Sequence, residues 1–325
     1  MKISRWPLML ACCGLTSGFS VPYAGAQSYP AKPVRLIVPF VPGGSADFFG
    51  RLIASRLGET LGQQVLLDNR GGAGGTIGTE AASRAAPDGY TLLLGTANTA
   101  MNVSLYGKRS VDPVKEFTAV SLLGAAPNIL AVHPSLPVKT VKQLIALAKA
   151  HPGQINYASG GSGSTSHLAT ELFKTLTQAN LLHVPYKGTG PALTAVLSGE
   201  ASVVIPPASV VLPHSQIGKL RALAIGSSAR LEATPDIPTI AEAGVPGYEA
   251  SQWYGVLAPA GTPRAIVDRL NRELVRIVQA PDLKAQLLKQ VTTTYGSTPE
   301  EFAAYLKDEI AKWDKVVRFS GARVE

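Results

Sequence analysis

Cysteine is almost absent from this chain of 325 residues, and its two copies, Cys12 and Cys13, stand side by side near the amino terminus. The rest of the sequence therefore needs no disulfide chemistry. Aromatic residues make up only 6% of the chain, and the lysines and arginines are not clustered with them. Nucleic-acid binding calls for basic patches interleaved with stacking aromatics, so we expect no nucleic-acid partner.

Long apolar runs are equally scarce. Beyond residue 26, no stretch reaches the roughly 18 apolar residues that span a bilayer. The first 26 residues have the pattern of an export signal, with Lys2 and Arg5, the apolar stretch Trp6–Phe19, and Ala24-Gly25-Ala26. We therefore expect residues 1–26 to be a signal peptide that is cleaved after Ala26, which makes the mature protein periplasmic. The alternative is a lipid anchor on Cys12, because Met9–Cys12 faintly resembles a lipidation box.

A loop of glycines and hydroxyl residues joins an apolar strand to a helix at Asn156–Leu168. A helix that begins near Ser164 directs several free backbone N–H groups out of its first turn, which creates an anion site. The hydroxyl groups add donors without adding charge, and this suits a carboxylate; they belong to Ser159, Ser162, Ser164, Thr165 and Ser166. The alternative is a structural turn in which a serine caps the helix.

A second loop of the same design occurs at Arg35–Arg51, where the strand Leu36–Val38 is followed by Gly43-Gly44-Ser45 and a helix from about Ala46. Two such loops indicate two lobes that face one cleft. Neither loop fits a dinucleotide fingerprint or a P-loop, so we expect no cofactor. The histidines show no metal-ligand spacing, so we expect no metal. Without Lys2 and Arg5 of the expected signal peptide, 28 basic and 22 acidic side chains give a formal charge of +6 that is spread without long runs, which favours an anionic small ligand.

Apolar strands alternate with helical segments in two successive series, which predicts sheets covered by helices on both faces. We predict an α/β protein of two lobes, each a mostly parallel sheet flanked by helices, with the ligand cleft between them. Residues 27–124 and 250–325 form the first lobe, and residues 125–249 form the second. Glycine and proline interrupt the pattern near Gly124–Pro127 and Gly247–Ser251, where we expect the hinges of a closing motion.

Six segments resemble, in the same order, the extracytoplasmic receptors of tripartite tricarboxylate transporters, which are Bug-type solute-binding proteins. They are Pro39–Asp47, Asp68–Gly78, Pro87–Leu92, Tyr157–Ala169, His183–Gly188 and Ala258–Pro263. The similarity runs from about Tyr29 to the carboxyl terminus. It implies a periplasmic receptor of the type II binding-protein architecture, not an enzyme, that holds a small carboxylate and hands it to a membrane permease. We further expect a monomer.

The resemblance also implies where the carboxylate is held, namely by backbone N–H groups and hydroxyls of the loops Phe40–Asp47 and Ser159–His167. The residues so implicated are Phe40, Gly44, Ser45, Asp47, Ser159, Gly163, Ser164, Thr165 and His167, with Thr96 and Asn98 after the third strand and Pro206 at the cleft. The sequence departs from the family at Ser202–Pro207, where relatives usually carry an aspartate and then an aromatic residue. This departure argues against a ligand that bears an amine.

Several alternatives stay open on the sequence alone. Asp47, in the first turn of a helix, either caps that helix or accepts a hydrogen bond from the ligand. Ser164 and His167 are close enough for a hydrolase pair, but the strained Gly-x-Ser-x-Gly elbow of such enzymes is missing. His167 either caps its helix locally or lines the cleft. A receptor that signals to a membrane partner without transport would close around its ligand in the same way.

The first testable prediction concerns export. Protein purified from the periplasm should begin at Gln27 on amino-terminal sequencing, because the small residues before it form the cleavage site. A mature protein with the mass of a diacylated Cys12 would contradict this prediction.

Overall fold

The computed structural model describes residues 29–232 and 234–322, so the predicted signal peptide and the expected terminus at Gln27 lie outside the described residues. In chain order the strands are β1 Val34–Val38, β2 Val65–Asn69, β3 Thr91–Thr96, β4 Phe117–Pro127, β5 Ile129–Val132, β6 Asn156–Ser159, β7 Leu182–Pro185, β8 Val203–Val204, β9 Arg221–Ile225, β10 Ser251–Pro259 and β11 Thr293–Thr294. The helices are α1 Ser45–Leu61, α2 Thr76–Ser83, α3 Ala97–Tyr106, α4 Pro113–Glu116, α5 Val141–Ala150, α6 Thr165–Thr177, α7 Thr189–Leu197, α8 Ala208–Gln216, α9 Arg264–Gln279, α10 Pro281–Leu288 and α11 Pro299–Ser320. Within the described ranges, no helix has the length and apolar character that a membrane crossing requires.

The sheet of the first lobe has six strands in the order β11-β4-β10-β3-β1-β2. β2, β1 and β3 run parallel, because a helix crosses the sheet after β1 and again after β2. β10, β4 and β11 extend this sheet as antiparallel neighbours. Consecutive residues of the central strands, such as Leu36 and Ile37 in β1, are fully buried. The strands therefore appear in the sequence as unbroken apolar runs rather than alternating ones.

The sheet of the second lobe has five strands in the order β7-β6-β8-β5-β9. β7, β6 and β8 are parallel, whereas β5 is antiparallel to both of its neighbours. The predicted two-lobed α/β architecture is confirmed, with sheets that are mixed rather than mostly parallel. Every antiparallel pair includes β4, β5 or β10, the strands at which the chain passes between the lobes. The direction of these strands is therefore set by the crossing.

The chain crosses between the sheets twice, and the two crossings lie side by side. β4 ends at Pro127 and β5 follows directly, so that only Asn128 joins them. On the return, β10 begins at Ser251, which pairs with Pro127. The Asn128 N–H donates to the Ala250 carbonyl at 3.2 Å, and the Asn128 carbonyl accepts from the Gly226 N–H at 2.7 Å. The two connections between the lobes are thus hydrogen-bonded to each other.

Most predicted elements are present near their expected bounds, and α5 agrees at both ends. β4, α4, α8 and β11 were not predicted. β4 is rich in alanine and glycine and shows no alternation, and it becomes a strand because ten of its eleven residues are buried by packing on both faces. α8 contains Pro213, which interrupts the helical signal in the sequence.

The carboxyl-terminal helix α11 stabilises the first lobe by binding to its sheet. It begins with a capping box, in which Thr298 accepts from the Glu301 N–H and Glu301 accepts from the Thr298 N–H. Farther along, the carboxylate of Glu309 is buried and accepts the indole N–H of Trp253 in β10 at 3.0 Å and that of Trp313 at 2.9 Å. Lys312 neutralises the same carboxylate.

The second testable prediction follows from this buried carboxylate. Glu309→Ala should lower the free energy of unfolding by about 3 to 5 kcal/mol, because it leaves two buried indole N–H groups without an acceptor and the Lys312 ammonium without its carboxylate. The exposed neighbour Asp308 is the matched control, and Asp308→Ala should change stability by about 0.5 kcal/mol or less. Urea denaturation of both variants decides the matter, and equal stabilities would contradict the prediction.

Candidate ligand-binding site

A cavity of about 270 Å³ lies where the two lobes meet. Its lining comes from five parts of the chain. They are the first loop with the start of α1 (Gly43, Gly44, Ser45, Phe48 and Phe49), Ala126 of β4, the start of α8 (Pro207 and Ser209), Tyr254 of β10, and the segment from α10 to β11 (Leu287, Gln290 and Thr292). Two helices, α1 and α8, therefore begin at this cavity from opposite lobes. None of these lining side chains carries a formal charge.

A larger, open groove of about 640 Å³ lies elsewhere, along the far end of α1 and strand β2 at the edge of the sheet. Gly58 and Gln63 are among the residues that line it. It receives no helix amino terminus and none of the predicted site residues, so the smaller interlobe cavity is the better candidate.

The loop before α1 is held in place by Asp47. One carboxylate oxygen of Asp47 accepts the Gly43 N–H at 3.0 Å and the Arg51 guanidinium at 3.0 Å. These contacts, the Arg51 hydrogen bond first, hold the pKa of the Asp47 carboxyl below its usual value. Its other oxygen, Oδ1, is buried and has no hydrogen-bond partner among the described residues. The contacts of Asp47 seen here are local ones that hold the turn ahead of α1.

Tyr254 forms an aromatic wall of the cavity. Its ring stacks on Phe49 with centroids 4.4 Å apart, and burial raises the pKa of Tyr254 to about 12, against a smaller opposing effect of the Ser45 hydroxyl. The phenol is therefore neutral at ordinary pH. A ligand in this cavity meets hydroxyls, backbone N–H groups and ring faces.

Other predicted residues of the first lobe do not line the cavity. The carbonyl of Phe40 accepts the Asn69 amide at 3.0 Å. Thr96 is fully buried at the end of β3, and Asn98 is half-buried in the first turn of α3. In the second lobe, Pro206 is buried and its carbonyl accepts the Ile129 N–H at 2.9 Å, so the next residue, not Pro206, reaches the cavity.

The second predicted loop, residues 159–167, has a hydrogen-bond network of its own. The Gly163 N–H donates to His167 Nδ1 at 3.0 Å, and the backbone N–H of His167 donates to the Ser164 hydroxyl at 3.2 Å. The Gly161 N–H donates to the buried Ser159 hydroxyl at 3.2 Å. The N–H groups of Thr165 and Ser166, in the first turn of α6, have no acceptor among the described residues. None of these residues lines the cavity.

The stacked imidazole rings of His167 and His183 hold this loop in place. The rings of His167 and His183 lie 4.1 Å apart and nearly parallel, and His183 Nε2 is 2.6 Å from the Ser159 hydroxyl. Because His167 Nδ1 accepts a hydrogen bond, its proton is assigned to Nε2. Burial lowers the pKa of His167 to about 3, and burial also lowers the pKa of His183.

These contacts do not form a hydrolase centre. The Ser164 hydroxyl accepts from the backbone of His167 rather than from its ring. Ser159 does contact a histidine ring, but its side chain is fully buried and cannot reach a substrate. Glu171, behind the imidazoles, is already paired with the Tyr157 hydroxyl at 2.6 Å and with Lys174 at 2.7 Å. The cluster is therefore organised to hold the loop.

The third testable prediction concerns acid stability. His167 resists protonation when folded but takes up a proton near pH 6.5 when unfolded, so its contribution to stability is complete above pH 6.5. It is lost as the pH falls towards about 3, at up to about 1.4 kcal/mol per pH unit. His167→Asn keeps an acceptor for the Gly163 N–H and removes the titration, so stability should fall less steeply between pH 6.5 and 4. The exposed His151→Asn is the control, and parallel pH curves for His167→Asn and the unaltered protein would contradict the prediction.

Comparison with known proteins identifies the family of this chain. The model of the tripartite tricarboxylate transporter family receptor matches residues 49–321. Protein BugT of Bordetella pertussis is 40% identical to this chain over 327 residues, and the alignment covers 100% of both proteins. The solved structure of Rpa4515 of R. palustris with adipate is 38% identical, with a TM-score of 0.79, and covers 91% of this chain and 100% of its own.

Another solved structure, MatC of Rhodopseudomonas palustris with bound malate, is 34% identical, has a TM-score of 0.75 and covers 89% of this chain and 100% of its own. The resemblance seen in the sequence motifs is thus confirmed over nearly the whole chain. Together with the two-lobed fold, these similarities show that the chain belongs to the tripartite tricarboxylate transporter receptor family, whose members are periplasmic solute-binding receptors and not enzymes.

Proposed function

We propose that this receptor binds a small carboxylate in the interlobe cavity and delivers it to the membrane permease of a tripartite tricarboxylate transporter. The observation that carries the proposal is the start of two helices, α1 and α8, at one cavity without a charged side chain. A helix amino terminus bears about half a positive charge and offers unpaired N–H groups. Two of them compensate a carboxylate without a lysine or arginine.

The chemistry of the lining fits this class of ligand. The hydroxyls of Ser45 and Ser209 add donors from opposite lobes, and the faces of Phe49 and Tyr254 pack against a short carbon chain. The volume of about 270 Å³ is at the small end for ligand sites, which excludes large cofactors. The relatives solved with adipate and with malate support a carboxylate for this chain too.

We also propose that the loop 159–167 contributes to the site when the lobes close. The free N–H groups of Thr165 and Ser166 at the start of α6 support this role. In the closed form, the predicted contacts at Phe40, Asp47, Thr96, Asn98, Ser159, Gly163, Ser164, Thr165, His167 and Pro206 would then surround the cavity as lining or supporting residues. A ligand that bridges the lobes stabilises the closed form by binding it more tightly than the open form.

In this closing motion, one lobe consists of residues 27–124 with 250–325, and the other consists of residues 125–249. The adjacent crossings around Asn128 and Ser251 are suited to act as one hinge, because they are short and bonded to each other. We propose that the receptor works as a monomer, that its signal peptide directs it to the periplasm, and that transport rather than signalling is its role, as in the family to which it belongs.

The fourth testable prediction examines the anion site. Ser45→Asp places a negative charge at the start of α1, where it is compatible with the helix but repels a carboxylate, so affinity should fall about fivefold or more. Ser55→Asp, at an exposed position of the same helix, makes the same change of charge away from the cavity and should leave affinity unchanged. Isothermal calorimetry with adipate and malate measures both.

Ser164→Asp, measured in parallel, reports on the loop 159–167, because aspartate also caps a helix well. Weaker binding in both Ser45→Asp and Ser164→Asp supports a site formed by both lobes. Binding that is unaffected by Ser45→Asp in a folded protein would contradict the interlobe cavity as the carboxylate site. Uptake of the bound ligand by cells that carry only the Ser45→Asp receptor tests delivery, and unchanged uptake would contradict a transport role.

A further inference from the structure

Tyr248 precedes strand β10 in the second crossing between the lobes, and its side chain is buried. Its hydroxyl donates to the carbonyl of Ala169 at 3.0 Å. Its ring meets that of Phe173 edge to face, with the centroids 6.4 Å apart. Both partners lie in α6. The crossing is therefore joined to the helix that follows the loop 159–167.

The same ring packs against Gly226, which links the two crossings. A Cβ atom added to Gly226 would lie 3.3 Å from Tyr248 Cε1 and 2.7 Å from the Ala250 carbonyl oxygen, so a larger residue does not fit here without a shift of the backbone. The Gly226 N–H donates to the Asn128 carbonyl at 2.7 Å, and the Gly226 carbonyl accepts the Ala250 N–H at 2.9 Å. Tyr248 thus lies where α6 meets both crossings.

The first lobe holds the residue next to Tyr248. The ammonium of Lys312 in α11 donates to the carbonyl of Glu249 at 3.2 Å. The same ammonium pairs with Glu309, whose carboxylate accepts the indole N–H of Trp253 in β10. In addition, α11 packs directly against α6, and buried side chains of both helices share one apolar cluster with Tyr248. A continuous set of contacts therefore leads from the first lobe to α6.

The hydrogen bonds inside the loop 159–167 do not make this connection. Those of Gly163 and Ser164 join the loop to His167 in its own helix, so they shape the loop but do not fix α6 relative to the first lobe. The free N–H groups at the start of α6 hold an anion well only if they are fixed before it arrives. A contact outside the loop must therefore fix the helix. Tyr248 provides a directional one, and burial raises the pKa of its phenol, so the hydroxyl keeps its proton.

We propose that Tyr248 is a positioning residue for ligand binding, whose hydroxyl fixes α6, and with it the free N–H groups of Thr165 and Ser166, to the crossing between the lobes. This inference rests on the proposed function, because the loop 159–167 must contribute to the site. Tyr248 does not line the interlobe cavity, so it acts on the ligand only through α6. A helix start senses the carboxylate and not the rest of the molecule. The effect of Tyr248 on affinity is therefore the same factor for different carboxylates.

The test compares Tyr248→Phe with Tyr29→Phe, because each removes only a hydroxyl that donates to a backbone carbonyl. The control bond, from Tyr29 to the Gly89 carbonyl at 2.6 Å, lies ahead of β3, at the end of the sheet opposite to the crossings. In calorimetry with adipate and malate, Tyr248→Phe should weaken both ligands about threefold or more and by the same factor, since one hydrogen bond that fixes the helix is lost. Tyr29→Phe should change neither affinity.

Amide hydrogen exchange without ligand measures directly how firmly α6 is held. Tyr248→Phe should speed the exchange of α6 amides more than that of α5 and α7 amides in the same lobe, which a general loss of stability would not do. Tyr29→Phe should leave the exchange of α6 unchanged. Equal acceleration throughout the second lobe in Tyr248→Phe, or no acceleration, would overturn the positioning role.

The binding results separate this inference from the proposed function. If Ser45→Asp weakens binding and Ser164→Asp or Tyr248→Phe does not, the receptor function stands and the positioning role of Tyr248 falls. Unequal losses for adipate and malate in Tyr248→Phe would also overturn it, because the residue would then act on the body of the ligand. If the unaltered protein binds neither ligand, the proposed function and the role of Tyr248 in binding both fail.

Discussion

A carboxylate enclosed between two lobes loses its water, and the protein must replace that water with hydrogen-bond donors. The interlobe cavity has no charged side chain, so the donors that it offers are backbone N–H groups, hydroxyls and the Gln290 amide. Helix starts supply several such free N–H groups together. The parallel strands of both sheets meet this need, because each is followed by a helix that begins at the same edge. The α/β fold therefore brings helix starts from both lobes to the cavity.

Donors of this kind are effective only if they are fixed before the ligand arrives. Each lobe uses a different device for this purpose. In the first, Asp47 ties the Gly43 N–H to Arg51 and holds the turn ahead of α1. In the second, His167 accepts the Gly163 N–H and must stay neutral to do so. For both residues the sequence left open a local role and a contact with the ligand, and the hydrogen bonds seen here are those of residues that shape the loop.

The sequence predicts the part of the site that is local in the chain. Gly43–Ser45 could be found because a strand, a glycine turn and a helix follow one another. Tyr254, Gln290 and Thr292 could not, since they reach the cavity from strands and turns far along the chain, and nothing in their own neighbourhood indicates a ligand. Pro207 and Ser209 could not be predicted for another reason. Pro213 interrupts the helical pattern of α8, so the sequence did not indicate the helix at whose start they lie. His183 carries no signal until the fold stacks it on His167.

The segment from α10 to β11 contributes both to the joining of the lobes and to the interlobe cavity. It pairs with β4 at the crossing between the lobes, inserts Val291 into the apolar cluster of the second lobe, and supplies Leu287, Gln290 and Thr292 to the cavity lining. A substitution in this segment can therefore change the shape of the cavity without touching the helix starts of α1 and α8. A receptor of this design can acquire a new ligand by substitution at Leu287, Gln290 or Thr292 while the backbone N–H groups at the helix starts stay as they are.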